Sequence, residues 1–170
     1  MSSISVARLK SDQWQMLKDL RLSALKDAPY AFGTTFAEAQ ARTDEYWREM
    51  AKDHATDDDR AYFIAYHNKL PSGMAGCYHT RPDTAVLTAM WVAPEVRGQK
   101  VGEQIIEAVT QWAQQAGALT LDASVSEDNP ARKFYQKLGF EETGETEPFR
   151  SDPKIQIIFI RLDIAPKNLS

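Results

Sequence analysis

The sequence is poor in the residues that build metal centres and disulfide frameworks. Its one cysteine, Cys77, cannot close an internal disulfide, and its three histidines, His54, His67 and His79, are scattered along the chain. There is no Cys-x-x-Cys pair and no His-Glu-x-x-His, so a dedicated metal site is not expected. No apolar run approaches the roughly 20 residues that a membrane span needs. Residues 1–10 lack the charged-then-apolar pattern of a secretory signal, and together with the lone cysteine this makes a cytoplasmic location the expectation. Positive charge is not in excess either. The net charge of −4 argues against binding to a nucleic-acid backbone, although it leaves a local basic pocket open. Repeats and low-complexity linkers are missing as well. What is there is an ordinary globular composition, 43% hydrophobic and 26% charged over 170 residues, and it predicts one domain spanning 1–170.

The pattern along the chain is mixed. Residues 3–9 alternate weakly and read as a strand. Ser11 is placed to cap a helix running to about Lys26, with Trp14, Leu17, Leu20 and Ala24 on one face. The segment from Pro29 to Gly33 breaks it, and Thr35 with Glu38 has the form of a capping box opening a second helix that carries Phe36, Ala39, Thr43, Trp47 and Met50. Strands are predicted near 61–66, 73–79 and 84–93, with turns at Pro71-Ser72-Gly73 and Arg81-Pro82-Asp83. A helix over about 99–116 follows, its apolar face formed by Val101, Ile105, Ala108, Val109, Trp112 and Ala116 and its stop by Gly117. Leu119, Leu121, Ala123 and Val125 alternate with polar residues in a strand at 119–125. Asn129 and Pro130 open a short helix that Gly139 ends, and two strands fall near 140–146 and 154–162. The order β-α-α-β-β-β-α-β-α-β-β predicts an α/β fold of the α+β type, with a mixed, mostly antiparallel sheet and helices on both faces.

The chemistry is concentrated between Met90 and Phe140. A strand ending in Val92-Ala93-Pro94 feeds Arg97-Gly98-Gln99-Lys100-Val101-Gly102 and then the long helix. The unpaired N–H groups and the dipole at a helix start attract anions, and glycine lets the backbone come close to a phosphate. The spacing is neither the Rossmann glycine pattern nor a P-loop, because Lys100 precedes Val101 instead of Ser or Thr. On these residues alone, a plain strand–helix turn is an equal reading.

Two stretches in order, Arg97-x-x-Lys100-x-Gly102 and Asn129-x-x-x-x-Phe134-Tyr135-x-x-x-Gly139-Phe140, resemble the signatures of the GNAT superfamily of N-acetyltransferases. The resemblance implies a GNAT-like sheet that splays between the strand ending at Val92 and the strand 119–125. It implies acetyl-CoA in that gap as co-substrate and transfer of acetyl to a primary amine by direct attack. The backbone of Met90, Trp91 and Val92 would pair with the pantetheine arm. That of Arg97, Gly98, Gln99, Lys100, Val101 and Gly102 would hold the pyrophosphate, and Asn129 would add a contact to coenzyme A. Lys100 stands where the family has glycine. Positive φ there would cost a lysine about 1 kcal/mol or more, whereas a place in the first helical turn would tolerate it and let its ammonium face the phosphates. The second placement is the one expected.

Tyr135 shares an apolar stripe with Ala131, Phe134 and Leu138, which suits a core tyrosine. The resemblance implies instead a proton donor to the departing thiol. A base for the amine is sought among Glu38, His79, Asp122 and Ser124. Glu38 has its capping box and His79 an ordinary strand-end place, Asp122 and Ser124 share one strand face, and Ser124 occupies a position often held by glutamate in the family. Relay through ordered water needs none of them. Cys77 reads as a small buried residue and Trp47 as core, while Tyr30 and Phe32, in the break, are the acceptor-pocket candidates. The acceptor is a small-molecule amine or a peptide amine. The negative net charge hints at a cationic one such as a polyamine. A non-catalytic acyl-CoA-binding module is the alternative in another class, and the resemblance admits a homodimer.

Overall fold

The structure, a computed structural model, describes residues 2–167, so Met1 and 168–170 of the expected 1–170 domain lie outside it. The chain runs β1 (Ile4–Arg8), α1 (Trp14–Asp27), α2 (Phe36–Gln40), α3 (Asp44–Thr56), β2 (Arg60–His67), β3 (Leu70–Arg81) and β4 (Thr84–Val92). It continues through α4 (Val101–Gln115), β5 (Thr120–Ser126), α5 (Ala131–Lys137), β6 (Glu141–Phe149) and β7 (Asp152–Asp163). The seven strands form one sheet in the order β1-β2-β3-β4-β5-β7-β6. Every neighbouring pair is antiparallel except β4 and β5, which are parallel.

Side chains alternate across β3 and divide the helices between two faces. Gly73 faces α4, where a Cβ would meet Ile105 and Val101 at 3.0 and 3.5 Å. Gly76 faces the other way, toward the Tyr62 ring, which stacks edge-on with His54 of α3. Leu17, Ala24, Trp47, Ile64, Met74, Ile105, Val109 and Leu121 are at most 1% exposed and form the core between these layers. Each large aliphatic side chain among them contributes about 1.5–3 kcal/mol by leaving water.

Several local expectations are corrected. Ser11 does not cap α1: Ser11–Gln13 is a separate 3-10 turn, closed by the Lys10 N–H donating to Gln13 Oε1 at 2.9 Å, and α1 starts at Trp14. The second helix is two helices, because Thr43 adopts extended backbone and its Oγ1 accepts from the Tyr46 N–H at 3.2 Å, capping α3 anew. The β2–β3 turn is Asn68-Lys69, both at positive φ, while Pro71-Ser72-Gly73 lies within β3. Ala116 and Leu119 are exposed because α4 ends at Gln115 and β5 begins only at Thr120; Ile106 and Ala113 take places on the buried stripe of α4.

Gly76 is a close-packing point of the central strands. A Cβ there would sit 2.7 Å from Thr88 Oγ1 and 3.1 Å from the Tyr62 ring. Gly76→Ala is expected to destabilise the fold by about 1–3 kcal/mol through overpacking. Gly33→Ala, where a new Cβ meets nothing within 4 Å, is the matched control. Urea midpoints of the two variants check this: equal midpoints would disprove the tight packing.

Candidate active site

The strands β4 and β5 pair only at Thr84–Thr120, Ala85–Leu121 and Val86–Asp122. Beyond these three pairs they diverge. The register of β4 against β3 slips by one residue between Gly76–Thr88 and Met74–Trp91, and Ala89, at φ +50°, takes up the extra residue as a bulge. The edge of β4 from Leu87 to Val92 therefore has no ladder partner on the β5 side. The gap opens into a cleft of about 1060 Å³, large enough for a nucleotide-sized ligand together with an acceptor.

One end of the cleft is the start of α4. Gly98 has φ +80° and Lys100 φ +66°, so the chain turns sharply before the helix. No side chain caps the first N–H groups of α4, and they remain free for an anion. Lys100 is thus the left-handed residue before the helix and not part of its first turn, contrary to expectation. Gly102 lies inside the first turn, where a Cβ would come within 2.9 Å of Phe134 Cζ; its bareness lets α5 approach α4. Arg97 is less free than its position suggested. Its Nε donates to Val92 O at 2.9 Å and its Nη2 pairs with Asp27 Oδ2 at 2.5 Å. The Trp91 indole N–H donates to the same oxygen at 3.0 Å. That bond, aided by Arg97 and opposed by burial, holds the Asp27 carboxyl below its ordinary range. Gln99 does not line the cleft; its Oε1 lies 2.9 Å from His67 Nε2.

The opposite wall comes from β5 and α5. Asn129 does not cap α5: the helix starts at Ala131 with Pro130 in the capping position, and Asn129 Oδ1 instead closes the turn before it by accepting from the Ala131 N–H at 2.9 Å; Asn129 also lines the cleft. Tyr135 is 7% exposed, packs edge-on against Phe134 and Phe140, and lines the cleft. Burial alone pushes its hydroxyl pKa upward. The core placement read from the apolar stripe is met, and the same side chain forms part of the cleft wall. Tyr30 and Phe32 line the cleft too, Phe32 buried and Tyr30 37% exposed, and the Tyr30 carbonyl accepts from Ser126 Oγ at 3.3 Å.

Of the four base candidates, the structure brings Asp122 and Ser124 to the cleft and leaves Glu38 and His79 outside it. Both Asp122 oxygens accept from Arg161, at 2.6 and 2.9 Å. Ser124 is exposed. Glu38 completes its capping box with Thr35 and takes a forked bond from Arg150, which also donates to Gly33 O; the Arg150 bond and the Thr35 N–H hold its carboxyl pKa down. His79 lies against the Trp112 ring at 4.6 Å on the α4 face. Cys77 is buried, its thiol pushed up to about 12 by burial, and Trp47 is core. Sequence reasoning missed Arg21, Tyr78, Thr88, Ala89 and Phe159, which line the cleft from four different strands and helices, and Arg161, which pairs across strands with Asp122.

The chain belongs to the acetyltransferase (GNAT) family, whose model matches residues 17–140. An uncharacterized N-acetyltransferase from Schizosaccharomyces pombe is 27% identical over 104 residues, 60% of this chain and 55% of that protein. The chain spans about half the length of the curated relatives it matches. An acetyltransferase of the GNAT family from Streptococcus pneumoniae has the same fold, with a TM-score of 0.81 at 16% identity over 96% of this chain and 100% of that one. A Salmonella typhimurium protein solved with its cofactor acetyl-CoA gives 0.77 at 13% identity over 99% and 98%.

A lysine at φ +66° carries strain of about 1 kcal/mol or more, which a glycine relieves at the expense of some entropy in the unfolded chain. Lys100→Gly is expected to raise the melting temperature of the free protein by about 2 °C, and Lys100→Ala, which keeps the strain, to leave it in place. Equal shifts in both variants would place the effect in the ammonium charge.

Proposed function

We propose that this chain is an acetyl-CoA-dependent N-acetyltransferase, a single domain over 1–170, that acetylates a primary amine by direct attack. The observation that carries the reading is the splay: an unpaired β4 edge, an uncapped α4 start and a buried Tyr135 all face one cleft. The residues present fit such a co-substrate. The β4 edge from Met90 to Val92 that faces away from β3 suits the amides of a pantetheine arm, as an added strand would, with Val92 O already accepting from Arg97 Nε. The backbone from Arg97 to Val101 and the start of α4 suit a pyrophosphate, with Lys100 adding charge and Asn129 a contact from the far wall. Gln99 is part of this only through its main chain, since its side chain turns to His67.

Bound acetyl-CoA supplies an activated thioester. Tyr135 holds a proton at Oη for the departing sulfur. Because its pKa is raised, it keeps that proton and acts as a hydrogen-bond donor throughout the neutral range. Asp122 is occupied by Arg161, so the incoming amine arrives already neutral; on attack its nitrogen sheds one proton to water at the Ser124 side and keeps the other in the amide. Cys77 is buried and protonated, and no acetyl-enzyme forms on it. Tyr30 and Phe32 wall the acceptor end.

The test is thiol release from acetyl-CoA against a panel of amines. Tyr135→Phe is expected to lower kcat about tenfold or more, with a retained acetyl-CoA thermal shift. The wild-type rate should rise with pH as the acceptor deprotonates, with no descending limb from Tyr135 below about pH 10, because burial moves that hydroxyl above its ordinary value. A thermal shift with no turnover of any amine would favour the non-catalytic binding module, and neither signal would remove acetyl-CoA from the account.

A further inference from the structure

We propose that the acceptor amine also carries a carboxylate, as an amino acid does, and that Arg21 receives it. This rests on the transferase reading and names its substrate class. Arg21 projects from α1 and lines the cleft. Its Nη1 donates to Tyr62 Oη at 3.0 Å, and Cζ lies 5.7 Å from the centre of the Phe32 ring. Its Nε is buried with no hydrogen-bond partner, and among the described residues no carboxylate forms an ion pair with it. Arg21 as a whole is half-buried, and a guanidinium with a buried, unpartnered Nε and a phenol as its hydrogen-bond acceptor is incompletely satisfied. Its planar fork is matched by a carboxylate, which can accept from two N–H groups at once.

The other charged groups along the cleft leave this one unmatched. Asp122 is neutralised by Arg161, and Arg97 by Asp27. Lys100 and Glu103 belong to the α4 end, where the phosphates are proposed to lie. Arg21 belongs to the acyl end. It holds Tyr62, whose ring meets the space above Gly76, and Thr88 beside the Ala89 bulge meets that same space. An anion on Arg21 would therefore sit next to the point where β4 leaves its ladder and the thioester would lie. Tyr30, Tyr78, Phe32 and Phe159 give the surrounding wall its aromatic character, which suits an apolar side chain on the acceptor. The local charge thus opposes the polyamine that the net charge of −4 suggested.

The test compares phenylalanine, its amide and phenethylamine as acceptors. The amide mimics a peptide N-terminus and its amine is less basic, so without carboxylate recognition it should react faster. The expected kcat/KM favours phenylalanine over the amide by about tenfold to a hundredfold, the range of a charge-assisted hydrogen bond. Arg21→Met should bring that ratio near one, Arg21→Lys should retain part of it, and Tyr62→Phe, which removes only the internal partner, should keep it. A readout independent of turnover is the thermal shift produced by N-acetylphenylalanine on the coenzyme A-loaded protein, expected in wild type and lost in Arg21→Met. Acetylation of all three amines without preference, or a preference unchanged in Arg21→Met, overturns the inference and leaves the transferase standing. Binding of N-acetylphenylalanine through Arg21 without turnover of any amine does the reverse. Neither binding nor preference sinks the carboxylate assignment outright.

Discussion

After Val86 and Asp122 the two central strands part, yet each keeps a ladder on its far side. β4 stays bonded to β3 as far as Gly73–Val92, and β5 to β7 as far as Ser126–Ile157. Both walls of the gap are thus held from behind, and the edges facing each other lack ladder partners. A parallel pair normally buries both edges. Here the three paired residues are enough to align the strands, and the missing pairs are what a ligand's amides can replace. The start of α4 and the Tyr135 helix inherit their places from this divergence, because one follows β4 and the other follows β5.

Among the described residues, two of the four non-glycine residues at positive φ, Ala89 and Lys100, line the cleft, while Asn68 and Lys69 build a hairpin turn. Ala89 lets β4 gain a residue against β3 and change the direction of its free edge. Lys100, just after Gly98, sets the angle at which α4 meets that edge. Strain kept at two points of one cavity, where glycine would relieve it, marks backbone held for its direction. In Lys100 the held backbone also carries a charged side chain to the same mouth.

Much of this was legible in the sequence where local chemistry decides structure. The apolar period of α4, the alternation in β5, the break at Asn129-Pro130 and the Pro82 turn depend on neighbours a few residues apart. Even locally, the Thr43 cap was overlooked because the apolar spacing from Phe36 to Met50 runs through it, and the side-chain bond to Tyr46 outcompeted helix continuation. The splay was readable only through resemblance to the family. Its bulge was not readable at all, since alanine gives no sign of positive φ. The fates of the base candidates were hidden for another reason. Asp122 with Arg161, and Glu38 with Arg150, are separated by 39 and 112 residues, and only the β5–β7 pairing and the contact of α2 with the β6–β7 turn bring them together.

Those distant pairs also shape what the cleft can ask of its acceptor. Two carboxylates that could have drawn a cationic amine or taken its proton, Asp122 and Glu38, are each held by an arginine, and Glu38 lies outside the cleft. On the proposed reading, a protonated amine finds no unpaired carboxylate at the acyl end among the described residues, and a neutral one need displace no ion pair to approach. Arg21, without a carboxylate partner among the described residues, is the group proposed to favour a negative charge instead. On the proposed reading, selection for the acceptor rests on the charge beside its amine and on the amine's own basicity, and the protein's part is to orient a nucleophile that solution pH has already prepared.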